Sequence, residues 1–486
     1  MAELHFPWLE LAILLPLVGG ILVARRRDAE AARRWTIAIM GFTLLLTLGT
    51  CADFLLLGQP DAAGPWALVD AGQEIRGASI DGLSAPLLPL SALLYFLLAF
   101  ATLRAKIKQV PFAWTLISLS LLLATFCCQS PRELIVLLAL RVVPPWLELY
   151  SRGRGTRVFT FHIALSLMLL AGGWGIVEYG PGEGSWHQLG LGAMLAGVLI
   201  RCGIFPFHCW VTDLFEKTTL GTALLFVVPM PSIYVAFRLL LPIAPEWVLQ
   251  VMGIGAVVTA LYASAMATIQ NAARRFLCYL FLSNASLVLV GLQSSDPIGL
   301  TASLCIWISV AMTLLGQGLT LRAIESRVGY RSLNDYHGFY RHMPSLALFF
   351  LLTGLSSIGF PGTIGFIATD LLVEGALSVS SLNAVLVVTS MAFNGIALLR
   401  AYFRLFTGPE HVSSMSIVAR WPEKVAVLAI TMLILGVGLI PQPGVASRYK
   451  AAKQLLSQRA IEPSLDSHTL ASIPPRVEIG AVPQSE

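Results

Sequence analysis

The sequence predicts an all-α polytopic membrane protein with about fourteen transmembrane helices, and three observations carry that prediction. Charged residues make up 12% of the 486 residues, about half of the ~25% that is usual in soluble domains. Hydrophobic residues make up 56%, and the mean hydropathy is +0.76. Apolar runs long enough to cross a bilayer recur along the chain as far as residue 440. This composition excludes a soluble enzyme.

The predicted spans follow the apolar runs in order. They lie at 8–24, 35–57, 84–103, 110–128, 133–149, 158–178, 188–210, 218–241, 246–269, 276–293, 298–321, 344–372, 382–406 and 423–440. Run 133–149 is the weakest, because it holds two charged residues and two adjacent prolines that favour a distorted helix. The first run resembles a signal peptide, but its arginines follow the apolar residues instead of preceding them. An uncleaved first span with an external N-terminus is therefore expected.

Basic residues alternate strongly between successive loops. Loops after odd-numbered spans hold twenty, and loops after even-numbered spans up to the last helix hold two, Arg76 and Arg132. The twenty are Arg25, Arg26, Arg27, Arg33, Arg34, Arg104, Lys106, Lys108, Arg152, Arg154, Arg157, Lys217, Arg274, Arg275, Arg322, Arg327, Arg331, Arg341, Arg420 and Lys424. Basic loops stay in the cytoplasm, so both termini are predicted outside. The net charge of +5 is thus explained by topology, and no nucleic-acid partner is expected.

Two predicted spans are interrupted, and the interruptions indicate an internal repeat. The seventh span breaks at 203–208 (GIFPFH) and the twelfth at 358–363 (IGFPGT). Because the breaks are five spans apart, the two helices cross the membrane in opposite directions. This predicts inverted five-helix repeats at 110–241 and 246–406, an arrangement typical of ion-translocating transporters. The alternative is a pair of ordinary proline kinks.

The remaining segments flank these repeats. Residues 1–109 hold the first three spans, and residues 407–440 hold the last span. Residues 441–486 form a tail that contains basic residues although it follows an even-numbered span, so it does not fit the alternating charge pattern. Within the tail, residues 446–460 predict an amphipathic surface helix. The Pro-, Ser- and Glu-rich sequence beyond it predicts disorder.

The seventh span carries a resemblance to a known family. Its segment 200–210 (IRCGIFPFHCW), followed by Asp213 and Glu216, resembles the broken helix of antiporter-like subunits L, M and N of NADH-quinone oxidoreductase. That family is shared with multisubunit cation/proton antiporters. Segments 80–84 (IDGLS) and 356–366 (SSIGFPGTIGF) support the resemblance, which covers about residues 5–440 and suits subunit M.

The resemblance implies a proton-conducting-type subunit in the bacterial inner membrane. Its expected partners are other membrane subunits of a larger complex, the lipid bilayer, and protons or monovalent cations. The redox site would lie on partner subunits. Two alternatives remain open: a membrane subunit of an energy-coupled inorganic carbon uptake complex, or a structural subunit that has lost its proton channel.

Family members are thought to pass protons along a glutamate, lysines and a histidine in the membrane, and this sequence departs from that chain. Arg141 stands where the glutamate is expected, with Glu148 two turns away, and Arg201 replaces the first lysine. The eighth-span lysine position falls near 230–232, and the eleventh-span histidine position falls near 309–310. Thr369 replaces the twelfth-span lysine or glutamate and is followed by Asp370. Arginine stays protonated, so it can fix a field or hold an anion but cannot readily release a proton.

Six residues are the candidates for a proton or ion pathway: Arg141, Glu148, Arg201, His208, Asp370 and Glu374. Arg201 is either an electrostatic gate or one partner of an ion pair with Glu148 or Asp213 that holds two helices together. His208 either relays protons or holds the helix break together by hydrogen bonds.

The second repeat offers a carboxylate pair. Asp370 and Glu374 are four residues apart on one helix, so their side chains share a face and form a protonatable pair. The alternative for Glu374 is a position at the outer surface.

No catalytic residue, cofactor site or metal site is expected on this chain. The seven cysteines lie in apolar stretches without a C-x-x-C pair. The glycine-rich segment 180–184 (GPGEG) lacks the strand and helix that flank a dinucleotide site. No second His, Cys or carboxylate lies at a helical metal spacing from His208.

Overall fold

The computed structural model describes residues 2–65, 68–69, 75–103, 106–107, 110–180, 184–294, 296–409 and 418–459. The helices of the first half are α1 Trp8–Ala24, α2 Ala29–Leu57, α3 Leu87–Phe100, α4 Phe112–Cys127, α5 Pro131–Leu140, α6 Val143–Ser151, α7 Arg157–Tyr179, α8 Ser185–Cys202, α9 Cys209–Lys217, α10 Leu220–Val227 and α11 Pro231–Val235, the last continuing as a π-helix over Ala236–Leu240. Those of the second half are α12 Glu246–Ile269, α13 Ala273–Val290, α14 Pro297–Val328, α15 Pro344–Ser357, α16 Ile364–Val379, α17 Ser381–Phe406, α18 Trp421–Leu439 and α19 Gln442–Arg459, with a 3₁₀ turn at Phe339–Arg341 before α15.

Short strands occupy the N-terminus and the loop between α2 and α3. They are β1 Ala2–Glu3, β2 Asp61–Ala63, β3 Leu68–Val69, β4 Ile75–Arg76 and β5 Ser79–Asp81. β1 pairs parallel with β2, β2 pairs antiparallel with β5, and β3 pairs with β4. The register sets Asp61 opposite Asp81, so the sheet fixes the backbone at the start of the IDGLS segment.

Within the described residues, nine helices or joined helices are long and apolar enough to cross a membrane. These are α2, α5 with α6, α7, α10 with α11 and the π-helix, α12, α13, α14, α17 and α18. Four shorter apolar helices accompany them: α1, α3, α4 and α15. The prediction of an all-α membrane protein is thus confirmed at this level.

The long helices differ in how much neighbouring helices cover them. The apolar windows of α13 and α14 are each 89% buried, whereas that of α7 is 22% buried. A helix that is apolar on all sides is either covered by other helices or faces lipid. α13 and α14 therefore form the centre of the molecule, and α7 lies at its edge.

Helix ends follow local capping chemistry. The Asp28 side chain accepts hydrogen bonds from the backbone N–H groups of Glu30 and Ala31 at the start of α2, at 3.0 and 3.2 Å. The helix ends where Gly58 adopts a positive φ of 63°, a conformation open to glycine at little cost. Asp296 caps α14 in the same way, and Pro297 occupies its first turn.

Four apolar runs are interrupted, where the sequence analysis predicted two clear breaks and one distorted run. Run 133–149 divides into α5 and α6, because Pro144 cannot donate the hydrogen bond that a continuous helix requires. The eighth run divides at Pro231, beside Met230 with a φ of 51°. This break was not predicted, although Pro229-Met230-Pro231 signals it.

The C-terminal helix lies in the segment for which an amphipathic surface helix was predicted. α19 covers most of the predicted segment 446–460, and one of its sides is buried against the rest of the chain. Its residues Arg448, Ala451, Ala452 and Leu455 are buried, and the helix packs against α14. The small side chains of Ala451 and Ala452 permit this close approach. The predicted disorder beyond it concerns residues 461–486, which lie outside the described residues.

Candidate functional site

The break between α8 and α9 leaves backbone carbonyl groups without partners in the helix, and side chains donate hydrogen bonds to them. Gly203 ends α8 with a positive φ of 72°. The Trp210 indole N–H donates to the Ile200 carbonyl at 2.8 Å, and the Ser232 hydroxyl donates to the Arg201 carbonyl at 3.1 Å. Non-helical backbone in an apolar environment requires such partners. The sequence-predicted break is therefore confirmed, with its carbonyls satisfied by side chains.

His208 lies directly after this break, in an aromatic surrounding. It is 8% exposed, and its Nε2 lies 3.4 Å from the Tyr262 hydroxyl. The rings of Tyr262, Tyr279 and Phe205 have centroids 5.1, 6.0 and 6.0 Å from the imidazole. The sequence analysis missed both tyrosines, because a hydroxyl-bearing aromatic in an apolar run gives no local signal of what it contacts.

Arg141 and Arg201 are brought together by the ring of Phe226. Arg141 is 0% exposed and Arg201 is 3% exposed. Their guanidinium carbons lie 5.7 and 5.5 Å from the Phe226 ring centroid, within cation–π range. Because both guanidinium groups lie over the same ring, two like charges share one region of the interior. Two of the candidate residues thus form one cluster, which we call the arginine pair.

The hydrogen bonds of the arginine pair are few. Arg201 Nη2 donates to the Leu138 carbonyl at 3.3 Å. Among the described residues, Arg201 Nη1 and the three guanidinium nitrogens of Arg141 make no hydrogen bond of normal geometry. The Tyr95 hydroxyl supplies Arg141 with an electrostatic interaction and a hydrogen bond of poor geometry, and that hydroxyl is also bonded to Ser118 at 2.8 Å. The pair therefore carries two buried charges with little compensation.

The predicted ion pair of Arg201 with Glu148 or Asp213 is wrong. Glu148 binds Arg152, with 3.0 Å between Oε1 and Nε, and Asp213 binds Lys217 at 2.5 Å. In each case the partner is four residues later, where a helix places it beside the acid. These local cations engage the carboxylates that Arg201 would need, although Asp213 Oδ2 has no hydrogen-bond partner among the described residues.

Glu148 also fixes the start of α10. Its carboxylate accepts hydrogen bonds from the Thr219 backbone N–H at 2.8 Å and from the Thr222 hydroxyl. Thr219 is the N-cap residue of α10. Because Glu148 is buried and both of its carboxylate oxygens accept hydrogen bonds, its position is fixed by Arg152 and by the first turn of α10.

A buried ion pair that the sequence analysis did not identify lies at the IDGLS segment. Asp81 Oδ2 is 2.7 Å from Arg238 Nη2, and both side chains are buried. Ser84 donates its backbone N–H to Asp81 Oδ1 at 2.9 Å, and Arg238 Nε donates to the Tyr234 hydroxyl at 3.0 Å. Burial raises the pKa of Asp81, but Arg238 and Ser84 outweigh it and hold the pKa below its ordinary value of 3.8. An arginine inside an apolar run was the available signal, since such a charge requires a partner.

The second break separates α15 from α16. Gly359 and Gly362 turn the chain with φ values of 79° and 85°. The Thr363 hydroxyl donates to the Phe360 carbonyl at 2.6 Å. Gly365, at the start of α16, packs directly on the Ser356 carbonyl, where a Cβ would lie 1.8 Å from the oxygen. This break is also confirmed, and it depends on glycine at close contacts.

Asp370 and Glu374 lie on α16, and both are exposed. Their four-residue spacing gives them one face, as predicted. The opposite face, with Ala368 and Leu372, is buried. The carboxylate pair therefore lies on the outer surface of this chain, apart from the arginine pair and from His208.

The interior of the second half contains a set of buried amides and hydroxyls. Gln317, in the middle of α14, is fully buried, and neither of its amide atoms has a hydrogen-bond partner among the described residues. Asn394 donates to the Ser283 hydroxyl at 2.9 Å. Further buried hydroxyls and amides in this region are Asn284, Ser286, Ser309, Thr313 and Thr320. The sequence analysis missed this set, because an isolated amide or hydroxyl in an apolar run is common.

A cavity of about 470 Å³ opens between the ends of the two halves, and we call it the basic vestibule. Its charged lining consists of Lys106, Arg152, Arg154, Lys217, Arg274, Arg322, Glu325 and Glu423. Both carboxylates are engaged, because Arg274 donates to Glu325 at 2.7 Å and Arg327 binds Glu423 with two hydrogen bonds at 2.6 and 2.8 Å. Three of the six cations, Arg152, Lys217 and Arg274, are also bound to carboxylates, so the lining is positive in net charge. Over the described residues, no group of three or more His, Cys, Asp or Glu side chains is arranged to hold a metal ion.

Comparison with known proteins gives this architecture a family. Residues 157–394 match the family described as NADH:quinone oxidoreductase/Mrp antiporter, transmembrane. The NAD(P)H-quinone oxidoreductase chain 4 of Prochlorococcus marinus (strain NATL2A) is 25% identical over 485 residues, covering 90% of this chain and 89% of the relative.

Two solved structures share the fold. A chain of the Mrp complex from Dietzia sp. DQ12-45-1b has a TM-score of 0.82 at 18% identity, covering 94% of this chain and 99% of that chain. A chain of respiratory complex I from Thermus thermophilus has a TM-score of 0.81 at 22% identity, covering 93% and 99%. The family match over residues 157–394, the coverage of the relatives and the broken helices agree, and the chain resembles the antiporter-like membrane subunits of the NADH:quinone oxidoreductase/Mrp antiporter family.

Proposed function

We propose that this chain is a laterally docked subunit of a membrane energy-coupling complex of the NADH-quinone oxidoreductase kind, and that protons pass through its second half. The exposed carboxylates Asp370 and Glu374 carry the proposal. They share the surface of α16 with large apolar side chains, among them Phe366 at 41% exposed and Leu377 at 56% exposed. Charge facing lipid is expensive. A neighbouring subunit that covers this face would remove that cost and exchange protons with the pair.

The proposed topology has fourteen spans with both termini outside the cytoplasm of a bacterial inner membrane. The nine long apolar helices and the four shorter ones supply thirteen spans, and α8, continued by α9 beyond the break, supplies the other. α16 extends the span that α15 begins. Inverted repeats at 110–241 and 246–406 then place the two breaks in helices of opposite direction. The basic vestibule, whose lining comes from odd-numbered loops, would lie on the cytoplasmic side.

The first half is unsuited to a proton relay. Arginine keeps its proton over the physiological pH range, so the arginine pair supplies a constant field instead of a cycling charge. Glu148 is bound to Arg152 and to the N-terminus of α10, so its carboxylate is already engaged by fixed partners. In the second half, buried amides and hydroxyls such as Gln317 could order water between the interior and α16.

The test is the substitution Asp370→Asn, which removes the titratable group at nearly constant volume. The variant is assembled with its native partner subunits, reconstituted in proteoliposomes, and measured for proton uptake with a pH-sensitive dye. We expect normal assembly and loss of uptake. Asp335→Asn, at an exposed loop position, is the matched control and keeps full uptake. Normal assembly with unchanged uptake in Asp370→Asn would contradict conduction through this face.

A second candidate function is a structural subunit that does not conduct. The observation that favours it is the arginine pair, which puts two permanent cations at the positions of the family's titrating residues. On that hypothesis, Asp370→Asn leaves uptake unchanged and lowers the yield of the assembled complex, because the carboxylate serves only the interface. Native gel electrophoresis of the same preparations measures that yield, so one set of variants separates the two functions.

A further inference from the structure

The arginine pair poses an electrostatic problem that the fold does not solve with protein groups. Arg141 and Arg201 are 0% and 3% exposed, and the nearby acid Glu148 is bound to Arg152. Removing an ion from water is unfavourable even after relaxation, unless an opposite charge approaches it. Arginine does not escape this cost by losing its proton. Phe226 contributes cation–π attraction, but one ring does not replace an opposite charge for two buried cations.

Space for a counter-charge exists beside Arg201. A cavity of about 30 Å³ is lined by Arg201, Phe226, Trp210, Ser232 and Ser286, among other residues. Arg201 Nη1, which is buried, makes no hydrogen bond to the described residues. A site of this size holds a single water or an ion of similar dimensions. A water would satisfy the N–H group but would leave both positive charges uncompensated.

We propose that the arginine pair binds one small inorganic anion of halide size, held in this cavity by the Arg201 guanidinium group and attracted by the charge of Arg141. The anion replaces the carboxylate that a buried arginine ordinarily recruits. It lowers the repulsion between the two guanidinium groups and leaves the first half with a smaller net charge. The site is a binding site in its own right, whether or not the second half conducts protons.

The charge distribution favours entry of anions over cations. The basic vestibule has six cations and two carboxylates in its lining, and three of the cations are bound to carboxylates, which leaves a net positive lining. Clefts of one charge raise the local concentration of the opposite ion. Thr219 lines the vestibule and donates to Glu148. Glu148 and Phe226 together line a smaller cavity of about 20 Å³. Adjacent side chains thus lead from the vestibule to the ring that both arginines contact.

Bromide is the probe, because it stabilises an anion site and quenches tryptophan fluorescence on contact. The purified full-length chain in detergent is titrated with sodium bromide against sodium gluconate at constant ionic strength. We expect a saturable rise in Tm and a saturable quenching component from Trp210. Trp210→Phe should remove the quenching component and keep the rise in Tm.

The arginine variants test the site itself. Arg201→Met removes a charge-assisted hydrogen bond worth about 1.5–3 kcal/mol, so the apparent bromide affinity should fall at least roughly tenfold. Arg34→Met, at an exposed position of α2, is the matched control and should respond as the unmodified chain does. If Arg201→Met fails to fold, Arg201→Lys keeps the charge with a changed donor geometry, and weaker binding in it supports the site. Identical bromide responses in the unmodified chain and the Arg201 variant would overturn the proposal, as would bromide anomalous scattering that places no ion beside Arg201.

Discussion

The buried Asp81–Arg238 ion pair allows the loss in free energy of unfolding to be predicted for a single substitution. Both side chains are buried, 2.7 Å apart, and join the loop before α3 to the π-helix that follows α11. Asp81→Asn keeps the shape and one acceptor for the Ser84 N–H group, but it leaves Arg238 as an uncompensated buried charge. Breaking a buried pair from one side costs about 3–5 kcal/mol. We therefore expect a loss of about that size in the free energy of unfolding.

A double-mutant cycle isolates the pair from other effects of the substitutions. Arg238→Met should also destabilise, since it leaves the Asp81 carboxylate buried. The combined Asp81→Asn, Arg238→Met variant should recover part of the loss, with a coupling energy of about 2–3 kcal/mol. The surface pair Glu216–Arg275, with side chains 38% and 52% exposed, is the control. Glu216→Gln should cost at most about 1 kcal/mol.

The assay is reversible unfolding in mixed detergent micelles, followed by tryptophan fluorescence. Because the pKa of folded Asp81 is lowered, the pair's contribution is complete above the unfolded pKa of about 3.9. It is lost as the pH falls through the lower, folded pKa. The difference between the unmodified chain and Asp81→Asn should thus be constant above about pH 5 and shrink in acid. A cost near that of Glu216→Gln, or additive single variants, would refute the argument.

Two further predictions concern topology and packing. Reporter fusions after Arg27 should report the cytoplasm, and fusions after Gly182, which lies outside the described residues, should report the exterior; the reverse at either site contradicts the charge-based topology. Gly365→Ala should lower Tm by the equivalent of about 1–3 kcal/mol, because its Cβ would collide with the Ser356 carbonyl. Gly172→Ala, where a Cβ meets no atom within 4 Å, should leave Tm nearly unchanged.

The fold was predictable because its main signals are local and repeated. Apolar runs placed the helices within a few residues, and the Gly-Pro segments at 203–208 and 358–363 located two breaks correctly. The break at Pro231 shows the limit of this approach. Hydropathy predicts one helix over this run, because it does not distinguish a continuous helix from two helices joined at a proline-rich turn.

The site was less predictable, because its partners are distant in sequence. A buried arginine such as Arg201 needs an acidic partner, but the sequence does not show which acids are already bound by other cations. Glu148 is bound by Arg152, which is four residues later on the same helix and therefore lies beside it. Asp370 illustrates the same difficulty. Its four-residue spacing from Glu374 fixed the shared face, whereas the outward orientation of that face depends on how α16 packs against α14 and α17.

Arg238 and Arg201 show two ways of keeping a guanidinium group inside apolar helices. Arg238 has a carboxylate at 2.7 Å and a tyrosine hydroxyl at 3.0 Å, so its charge is compensated by a protein carboxylate. That arrangement joins two segments and leaves little for a ligand to gain. Arg201 has one carbonyl, one aromatic ring and a donor without a protein partner. Because free energy is available only where interactions are incomplete, the unsatisfied arginine, and not the paired one, is where an external ion can bind.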